Sequence, residues 1–337
     1  MTINVAINGF GRIGRNILRA KYENEEYADI KIVAINDLGD SKTNAHLLQY
    51  DTAHGKFGFD VKSEKNKIIV DNSDEISVFS ERDPSNLPWK KLSVDIVLEC
   101  TGKFNSKEKL ISHIKNGAKK VIVSAPCKSA DKTIVYGVNH KNISKKDKII
   151  SAASCTTNCL APVVYVLNNN FEIEKGFMTT IHSYTTDQRM LDNSHKDPRR
   201  ARSAGQSIVP TSTGASKAIG EIIPSLKGKL EGVAMRVPTP NVSLIELVFQ
   251  TKKDLSIEKI NSSFKIFIKN NKNKVLKLTH EKLVSVDFNH DPASSIIDAK
   301  LTNVVGKNMG KISAWYDNEW GFSNRMCDTA IQIAGLI

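Results

Sequence analysis

The chain has 337 residues, 40% apolar and 25% charged, which is ordinary for a globular protein and enough for two domains with substantial cores. Its net charge of +12 would suit a nucleic acid or an acidic surface, but the lysines are scattered and not interleaved with aromatic residues. A solvated basic surface therefore ranks ahead of a nucleic-acid site as the primary role, and the positive field would also attract a phosphorylated substrate.

Cysteine usage and hydropathy set further limits. Five cysteines, an odd number without paired spacing, are typical of a reducing compartment. No Cys/His constellation completes a site around Cys155 and Cys159, so no metal is expected. No apolar run reaches the ~18 residues of a membrane span, and Met1–Val5 reads as a strand rather than a signal peptide. We therefore expect a cytoplasmic protein with no membrane attachment.

The first elements in the chain predict a nucleotide site. Ile3 to Asn8 is a short apolar strand, and a helical pattern follows it. Between them lies a G-x-G-x-x-G pattern at Gly9, Gly11 and Gly14. Such a pattern alone is often only a turn, but a second strand, Ile30 to Ile35, leads to Asp37, whose carboxylate could accept hydrogen bonds from a ribose. This order of elements predicts dinucleotide binding, with the pyrophosphate on the helix N-terminus.

The rest of the first half alternates strands and helices. Ser41 is expected to cap a helix through Leu48, and Ser106 to start one that Gly117 stops. Three short strands, which would form an antiparallel insertion, are expected at Phe59 to Val61, Lys67 to Val70 and Ile76 to Phe79. Further strands are expected at Val94 to Cys100, Lys120 to Val123 and Lys148 to Ala153. Strands separated by helices predict a parallel, doubly wound sheet.

The second half has a different character. Longer runs rich in β-branched residues predict a mostly antiparallel sheet. These runs are Gly176 to Ser183, Gly232 to Val237, Val242 to Thr251 and Lys311 to Tyr316. Helices are expected at Ser154 to Asn168, Ala215 to Ile223 and Ser256 to Lys269. The irregular stretch from Thr186 to Pro210 is long for a loop, and such loops are usually functional.

These patterns predict an α/β protein. A Rossmann-type doubly wound parallel sheet would occupy residues 1–153, and an α+β catalytic domain with a mostly antiparallel sheet would occupy 154–318. The final segment, 319–337, contains an amphipathic helix from Trp320 to Ile333, which is expected to pack on the first domain.

Cys155 stands where a strand-like run ends and a helical pattern begins. Unpaired N–H groups and the macrodipole at a helix start favour an anion, so a thiol there loses its proton more easily. His182 ends the next strand-like run, and the two side chains could meet as an activated pair. A lone cysteine is more often a small buried hydrophobe, but the polar rim of Ser154 and Thr156–Asn158 argues against a core position here.

Several motifs in this order resemble those of the phosphorylating (type I) glyceraldehyde-3-phosphate dehydrogenases. They are Asn8–Arg15, Ala153–Cys159, His182–Thr185, Pro210–Ala215, Met235–Asn241 and Trp315–Gly321. The resemblance implies reversible oxidation of D-glyceraldehyde 3-phosphate, with NAD and inorganic phosphate, to 1,3-bisphosphoglycerate in glycolysis and gluconeogenesis. It implies a thiohemiacetal and then a thioester on Cys155, with His182 as the base. It also implies a homotetramer in which the long loop packs at subunit interfaces.

The resemblance also assigns binding roles. For the substrate's phosphate it names Thr185 and Arg236. For the attacking phosphate it names Ser154, Thr156, Arg200, Thr213 and Gly214. For the cofactor it names Arg12 and Ile13 at the pyrophosphate, Asp37 on the adenosine ribose, Arg82 and Ser124 near the adenine and nicotinamide halves, and Asn318 on the carboxamide. Without the resemblance, Arg236 would be interpreted as one member of an ordinary ion pair. Arg200 would be interpreted as part of a solvated face, and Asn318 as a turn residue.

One departure from the family bears on the cofactor. Many NAD-specific members have Leu-Pro where this chain has Asn193 and Ser194. A serine there resembles members that also accept NADP, because its hydroxyl can meet a 2′-phosphate, whereas the charge on Asp37 would repel that phosphate. The prediction is that NAD is preferred, with room for some use of NADP.

Three alternatives remain open. Erythrose-4-phosphate dehydrogenase shares the Cys/His core, although Pro210–Gly214 has the form found in the triose enzymes. A hydrolase or thiol transferase would leave the glycine loop and Asp37 without a purpose. Nucleic-acid binding, as a secondary role, would show as steeply salt-dependent binding.

Overall fold

The computed structural model describes residues 2–271 and 274–337, and the chain divides into two compact units. Unit 1 consists of the residues up to Tyr136 together with His140–Ser154 and Phe322–Ile337. Unit 2 consists of Gly137–Asn139 and Cys155–Gly321. Each unit is built on a large β-sheet of its own.

The helices and strands are numbered here in chain order. The helices are α1 (Arg12–Glu23), α2 (Ser41–Gln49), α3 (Lys107–Lys115), α4 (Cys155–Phe171), α5 (Ala215–Ile222), α6 (Ile257–Asn271) and α7 (Trp320–Ala334). The strands up to Ser151 are β1 (Ile3–Asn8), β2 (Ile30–Asn36), β3 (Tyr50–Asp51), β4 (Gly55–Lys56), β5 (Val61–Glu64), β6 (Lys67–Val70), β7 (Asp74–Phe79), β8 (Ile96–Glu99), β9 (Lys120–Val123), β10 (Lys132–Thr133) and β11 (Ile149–Ser151). The later strands are β12 (Ile173–Ser183), β13 (Val209–Ser212), β14 (Leu230–Val237), β15 (Ser243–Thr251), β16 (Leu276–Thr279), β17 (Ser295–Asp298), β18 (Asn303–Val305) and β19 (Met309–Tyr316).

The main sheet of unit 1 has the strand order β10-β11-β9-β8-β1-β2-β7-β6-β5. Neighbours from β10 to β7 are parallel, whereas β6 and β5 continue the sheet as antiparallel pairs. The predicted doubly wound sheet and its antiparallel insertion are therefore confirmed. The chain changes direction across the sheet between β1 and β8, and ligands of such sheets bind at this switch point, outside the carboxyl ends of the strands.

Two glycines shape the turn between β1 and α1. Gly9 has φ +94°, and a Cβ there would lie 2.6 Å from the amide nitrogen of Thr101. A Cβ on Gly14 would lie 2.3 Å from the carbonyl oxygen of Gly9, so the helix reaches the turn only without a side chain. In contrast, a Cβ on Gly11 would meet nothing within 4 Å. Packing therefore requires Gly9 and Gly14, while Gly11 leaves open space at the start of α1.

The cap of α2 and the first strand of the insertion differ from the sequence prediction. The helix begins at Ser41, but its cap is Asp40, whose carboxylate accepts a hydrogen bond from the Thr43 N–H at 2.6 Å. Asp40 supplies the side-chain acceptor oxygen that was expected from Ser41, and its negative charge interacts favourably with the positive end of the helix dipole. The strand expected at Phe59 to Val61 instead starts at Val61 and forms β5.

Helix α7 has no solvent-exposed face from Trp320 to Ala330, where an amphipathic helix would have one, since all these residues are buried. Its polar groups are satisfied internally: the Arg325 guanidinium pairs with the Asp328 carboxylate at 2.7 Å, and both are 2% exposed. Within unit 1, the Cys327 thiol contacts the Ile17 carbonyl oxygen at 3.8 Å. The sequence pattern misleads here because these polar residues pair inside the protein instead of facing solvent.

The sheet of unit 2 is mixed. Its order is β13-β14-β12-β15-β19-β17-β16, with β18 paired to β19. The pairs β12/β14 and β16/β17 are parallel and the others are antiparallel, which agrees with the predicted mostly antiparallel sheet. The predicted irregular stretch is present between β12 and β13, although its last two residues begin β13.

Among residues 2–271 and 274–337, no helix has the length and apolar character needed to cross a bilayer. Within the same ranges, no group of three or more His, Cys, Asp or Glu side chains could hold a metal ion.

Candidate active site

The backbone before Cys155 makes a sharp turn from β11 into α4. Ala153 has φ +59°, a left-handed conformation that costs energy for a residue with a side chain. Cys155 follows two residues later as the first residue of α4, where backbone N–H groups have no partner within the helix. The turn therefore places the thiol at the helix tip, as the sequence predicts, and strain of this kind is typical of functional sites.

His182 lies next to this thiol. Its Nε2 is 3.5 Å from the Cys155 Sγ, and its Nδ1 is 2.7 Å from the carbonyl oxygen of Ser183. The guanidinium of Arg236, on the neighbouring parallel strand β14, places Nη1 2.5 Å from the same Nδ1 and 3.1 Å from the Ser183 oxygen. The parallel pairing of β12 and β14 sets His182 opposite Arg236. Together with Cys155, three of the residues selected from the sequence therefore lie close to one another.

Burial dominates the charge state of this pair. Burial, and after it the charge of Arg236, together lower the pKa of His182 to about 3, while the hydrogen bond with the Ser183 carbonyl opposes the shift. Burial also raises the pKa of the Cys155 thiol, although Arg236 and hydrogen bonds at the helix start act in the opposite direction. The helix start therefore lowers the pKa of the thiol as predicted, but burial has the larger effect. In the free chain the pair consists of a neutral thiol and a neutral imidazole.

A tyrosine that the sequence did not single out contacts His182 and Thr156, the residue that follows Cys155. The Tyr316 hydroxyl lies 2.9 Å from the hydroxyls of Thr156 and Thr180. The edge of its ring meets the His182 ring at 81°, with centroids 5.9 Å apart. Burial raises the pKa of Tyr316, so the phenol stays protonated. Its position as the last residue of β19, beside β15, is a tertiary feature that no local pattern reveals.

The residues selected for phosphate binding lie on five separate parts of the chain: Ser154 with Thr156, Thr185, Arg200, Thr213 with Gly214, and Arg236. Thr185 closes a turn with Gln188, whose side-chain oxygen accepts from the Thr185 N–H at 3.1 Å. Within that turn, Asp187 forms an ion pair with Arg200, and the Arg200 Nε donates to the Thr211 hydroxyl at 2.8 Å. Burial is the main cause that lowers the pKa of Arg236; among the charges that act on this group, Arg200 lowers the pKa and Asp187 raises it, so the two arginines share one electrostatic environment.

The start of α5 forms another part of this region. Thr213 accepts a hydrogen bond from the Ala215 N–H at 3.2 Å, and Gly214 is the exposed N-cap of the helix. Ser154, just before Cys155, is half-buried. Guanidinium, hydroxyl and helix N–H groups are suitable donors to tetrahedral oxyanions.

Asn318 is buried in unit 2, and its amide is oriented by two serines. The Asn318 side-chain oxygen accepts hydrogen bonds from the hydroxyls of Ser183 at 2.9 Å and Ser243 at 2.8 Å. The amide NH₂ is then the group that could donate to a ligand. Because Ser183 directly follows His182 in β12, Asn318 is tied to the strand that carries the imidazole.

The nucleotide-site residues of unit 1 cluster around the glycine turn. Asp37 accepts from the Phe10 N–H at 2.9 Å through Oδ2 and from the Gly39 N–H at 2.9 Å through Oδ1. Ser124 follows β9, and its N–H donates to the Glu99 carbonyl at 2.9 Å. These residues lie at the carboxyl edge of the parallel sheet, where the dinucleotide was predicted to bind.

The remaining residues of this set have different surroundings. Arg12 forms an ion pair with the buried carboxylate of Asp51. Burial would raise the pKa of Asp51, but hydrogen bonds from Arg12 and from the N–H groups of Ala53 and His54 hold it far below its usual range. Arg12 and half-buried Ile13 are the first two residues of α1, at the end where a helix presents its N–H groups, and Arg82 is exposed.

Comparisons with known proteins cover both halves of the chain. A family model described as the NAD binding domain of glyceraldehyde 3-phosphate dehydrogenase matches residues 3–107. A model described as the C-terminal domain of the same enzyme matches residues 154–318. The chain is 55% identical to the plasmid glyceraldehyde-3-phosphate dehydrogenase of Cupriavidus necator over 335 residues, covering 99% of both chains. It is 54% identical to the Cereibacter sphaeroides enzyme over the full length of both, and 51% identical to that of Geobacillus stearothermophilus over 99% of both.

Proposed function

Because the chain belongs to the glyceraldehyde-3-phosphate dehydrogenase family, we propose that it oxidises D-glyceraldehyde 3-phosphate, with NAD and phosphate, to 1,3-bisphosphoglycerate in glycolysis and gluconeogenesis. The observation that carries the proposal is the 3.5 Å contact between the Cys155 Sγ and the His182 Nε2 at the tip of α4. An activated thiol of this kind can hold an acyl group as a thioester.

The first step is attack of the Cys155 sulfur on the aldehyde carbon. The His182 Nε2 accepts the thiol proton and returns it to the carbonyl oxygen, which gives a neutral thiohemiacetal. The Cys155 N–H at the helix start would donate to the oxyanion that forms on the way. A neutral imidazole suits this step because, in the tautomer that carries its proton on Nδ1, the Nε2 lone pair faces the sulfur.

Oxidation and phosphorolysis follow on the same two side chains. When bound, NAD supplies the hydride acceptor. As hydride leaves the carbon, His182 takes the hydroxyl proton, and a thioester remains on Cys155. Inorganic phosphate then attacks the thioester carbon, and the sulfur leaves and recovers a proton from His182. General-base help of this kind is typically worth ~10²–10⁴-fold in rate.

The two phosphates would be bound by different groups. We assign the substrate's phosphate to Thr185 and Arg236. We assign the attacking phosphate to Ser154, Thr156, Arg200, Thr213 and Gly214. The charges of Arg200 and Arg236 act on one another, which supports neighbouring anion sites.

The glycine turn of unit 1 suits a dinucleotide. The open space over Gly11 and the start of α1 would receive the pyrophosphate. We assign Asp37 to the adenosine ribose, with Arg82, Ser124 and Asn318 along the rest of the cofactor. The predicted domain division, 1–153 with 319–337 against 154–318, is part of the proposal, and the limits of units 1 and 2 support it.

We infer that NAD is preferred over NADP because Asp37 is held in place. Turning its carboxylate away from a 2′-phosphate would break bonds to the N–H groups of Phe10 and Gly39. Hydrogen bonds to a charged group are worth about 1.5–3 kcal/mol each. Turnover with each cofactor at equal concentration tests this inference, and comparable rates would contradict it. The Ser194 hydroxyl leaves room for minor use of NADP.

We further propose a cytoplasmic homotetramer. Three large apolar side chains in the stretch between β12 and β13 are well exposed: Met190 at 56%, Leu191 at 80% and Ile208 at 68%. Such exposure suits burial between subunits. Sedimentation of the purified protein would give the number of subunits, and a monomer would exclude the assembly.

The deciding experiment measures NADH formation from glyceraldehyde 3-phosphate with and without phosphate. We expect phosphate-dependent turnover in the wild type and none in Cys155→Ser. Faster turnover with erythrose 4-phosphate would favour erythrose-4-phosphate dehydrogenase instead. Activity without nucleotide would favour a hydrolase or thiol transferase. RNA binding that is steeply salt-dependent and survives Cys155→Ser would reveal the secondary role that the basic surface could support.

A further inference from the structure

The Asp317 carboxylate is an unusually well-satisfied group beside the predicted carboxamide ligand Asn318. The residue is 1% exposed. Its Oδ1 accepts from the backbone N–H groups of Glu319 at 2.9 Å and Trp320 at 2.7 Å, which caps α7. Its Oδ2 accepts from the Asn241 Nδ2 at 2.8 Å and the His290 N–H at 2.7 Å. Four donors therefore fix this carboxylate from both sides of the turn.

The two residues that donate to the Asp317 Oδ2, Asn241 and His290, both have energetically unfavourable features. Asn241 is buried, and its Nδ2 also donates to the Asn289 side-chain oxygen at 2.7 Å. Among the described residues, the Asn241 Oδ1 has no hydrogen-bond partner. His290 has φ +67°, and its ring stacks on Trp320 with centroids 3.7 Å apart. An unsatisfied buried acceptor and a left-handed non-glycine residue in one cluster are the kind of cost that functional sites retain.

Asn318 is therefore held from two directions. Its backbone lies in the turn that Asp317 fixes, and its side-chain oxygen is held by the Ser183 and Ser243 hydroxyls. The Ser243 hydroxyl also accepts from the Ser183 N–H at 3.0 Å, so a hydrogen bond links the two serines across the neighbouring strands β12 and β15. Since His182 precedes Ser183, the Asn318 amide and the imidazole belong to one hydrogen-bonded framework.

We propose that Asp317, supported by Asn241, is a positioning residue for hydride transfer, acting by fixing the Asn318 amide that orients the nicotinamide ring. The proposal rests on the proposed function, because it takes Asn318 as the carboxamide ligand. A ring held by a less well-fixed amide would rotate about its glycosidic bond and present its other face to the thiohemiacetal. Loss of this framework should therefore weaken NAD binding and reduce the stereospecificity of hydride transfer, without affecting the triose phosphate site.

The test compares Asp317→Asn and the milder Asn241→Ala with wild type and Asn318→Ala. Thr251→Val is the matched control, because it removes a buried hydroxyl that donates to the Lys253 carbonyl at 2.8 Å elsewhere in unit 2. Substrate deuterated at the aldehyde carbon is converted, and NMR of the reduced cofactor reports which face carries deuterium. Calorimetry measures NAD affinity independently of turnover, and thermal melting measures stability.

We expect one labelled face for wild type and for Thr251→Val. Both framework variants should place a measurable share of deuterium on the opposite face. Their NAD affinity should fall about tenfold, the effect of losing a hydrogen bond to a charged group, while KM for glyceraldehyde 3-phosphate stays within about twofold of wild type.

The outcomes separate the two proposals. Absence of NADH formation by wild type would overturn the proposed function and this inference with it. If wild type is active and Asn318→Ala scrambles the label, unchanged label and NAD affinity in Asn241→Ala overturn the positioning role, whatever the melting temperatures. If Asp317→Asn does not fold, Asn241→Ala decides alone.

Discussion

At the residue scale, the two contacts of the His182 Nδ1 compete. The nitrogen lies 2.7 Å from the Ser183 carbonyl and 2.5 Å from the Arg236 Nη1, and it cannot donate to one and accept from the other at once. A proton on Nδ1 that is donated to Ser183 leaves the Nε2 lone pair facing Cys155, which is the form a base needs. Withdrawal of Arg236 towards a substrate phosphate would favour that tautomer.

This competition predicts the effect of Arg236→Ala on the imidazole. After burial, the guanidinium charge is the strongest influence that lowers the pKa of His182 to about 3. Its removal should raise that pKa towards the ordinary value, while kcat/KM for the triose phosphate falls because the phosphate loses its guanidinium. NMR titration of ¹⁵N-labelled histidine checks the shift, with the signal assigned by its loss in His182→Gln. An unchanged pKa would show that burial alone controls the imidazole.

The same side chain predicts acid sensitivity. The pKa of His182 is lower in the folded chain than in the unfolded one, so its contribution to stability is complete above the unfolded value of about 6.5. It is lost as the pH falls towards 3, because only the unfolded chain then takes up the proton. Denaturant unfolding from pH 7 to 4 should show a steeper loss of stability in wild type than in His182→Gln. Parallel curves would contradict this.

At the element scale, two glycines of the turn before α1 are required for different reasons, Gly14 for packing and Gly11 for nucleotide binding. Gly14→Ala would force a Cβ to within 2.3 Å of the Gly9 oxygen, so the melting temperature should fall, with a cost of several kcal/mol. Gly11→Ala meets nothing within 4 Å and should leave melting unchanged but weaken NAD binding, since the methyl group enters the space we assign to the pyrophosphate. Melting and NAD titration of both variants check this. Equal melting losses would contradict the distinction.

Elements with a clear local signal were predictable from the sequence. The bounds of β1, β6 and β9 agree with the prediction because each is a short apolar run between polar residues or glycines. The complete burial of helix α7 was not predictable, because Arg325 and Asp328 neutralise each other inside the protein, which hydropathy cannot register. The expected proximity of Cys155 and His182 is present, but their charge state was not predictable, since it depends on burial and on a guanidinium from β14.

At the scale of the whole molecule, unit 1 joins two stretches of chain separated by all of Cys155–Gly321. Its later stretch is buried against the earlier one: the Tyr27 hydroxyl contacts the Asp328 carboxylate at 3.1 Å, and the Cys327 thiol contacts the Ile17 carbonyl. The core of unit 1 is therefore incomplete without α7.

Deletion of Phe322–Ile337 should consequently prevent unit 1 from folding. We expect the truncated chain to bind a hydrophobic dye and to lose its cooperative melting transition, because the apolar surface that α7 covers is exposed. Addition of a peptide covering Phe322–Ile337 should restore both properties in part. A truncated chain that melts cooperatively and binds NAD would contradict this role of α7.

The burial of α7 has a consequence for how the protein is made. A ribosome releases β1, α1 and β2 long before it reaches the segment that covers Ile17 and Tyr27. During synthesis of all of unit 2, the nascent unit 1 must persist with an open apolar cleft. Completion of the nucleotide-binding unit thus waits until α7 has been synthesised, and the interval before it is when a chaperone would have the most to protect.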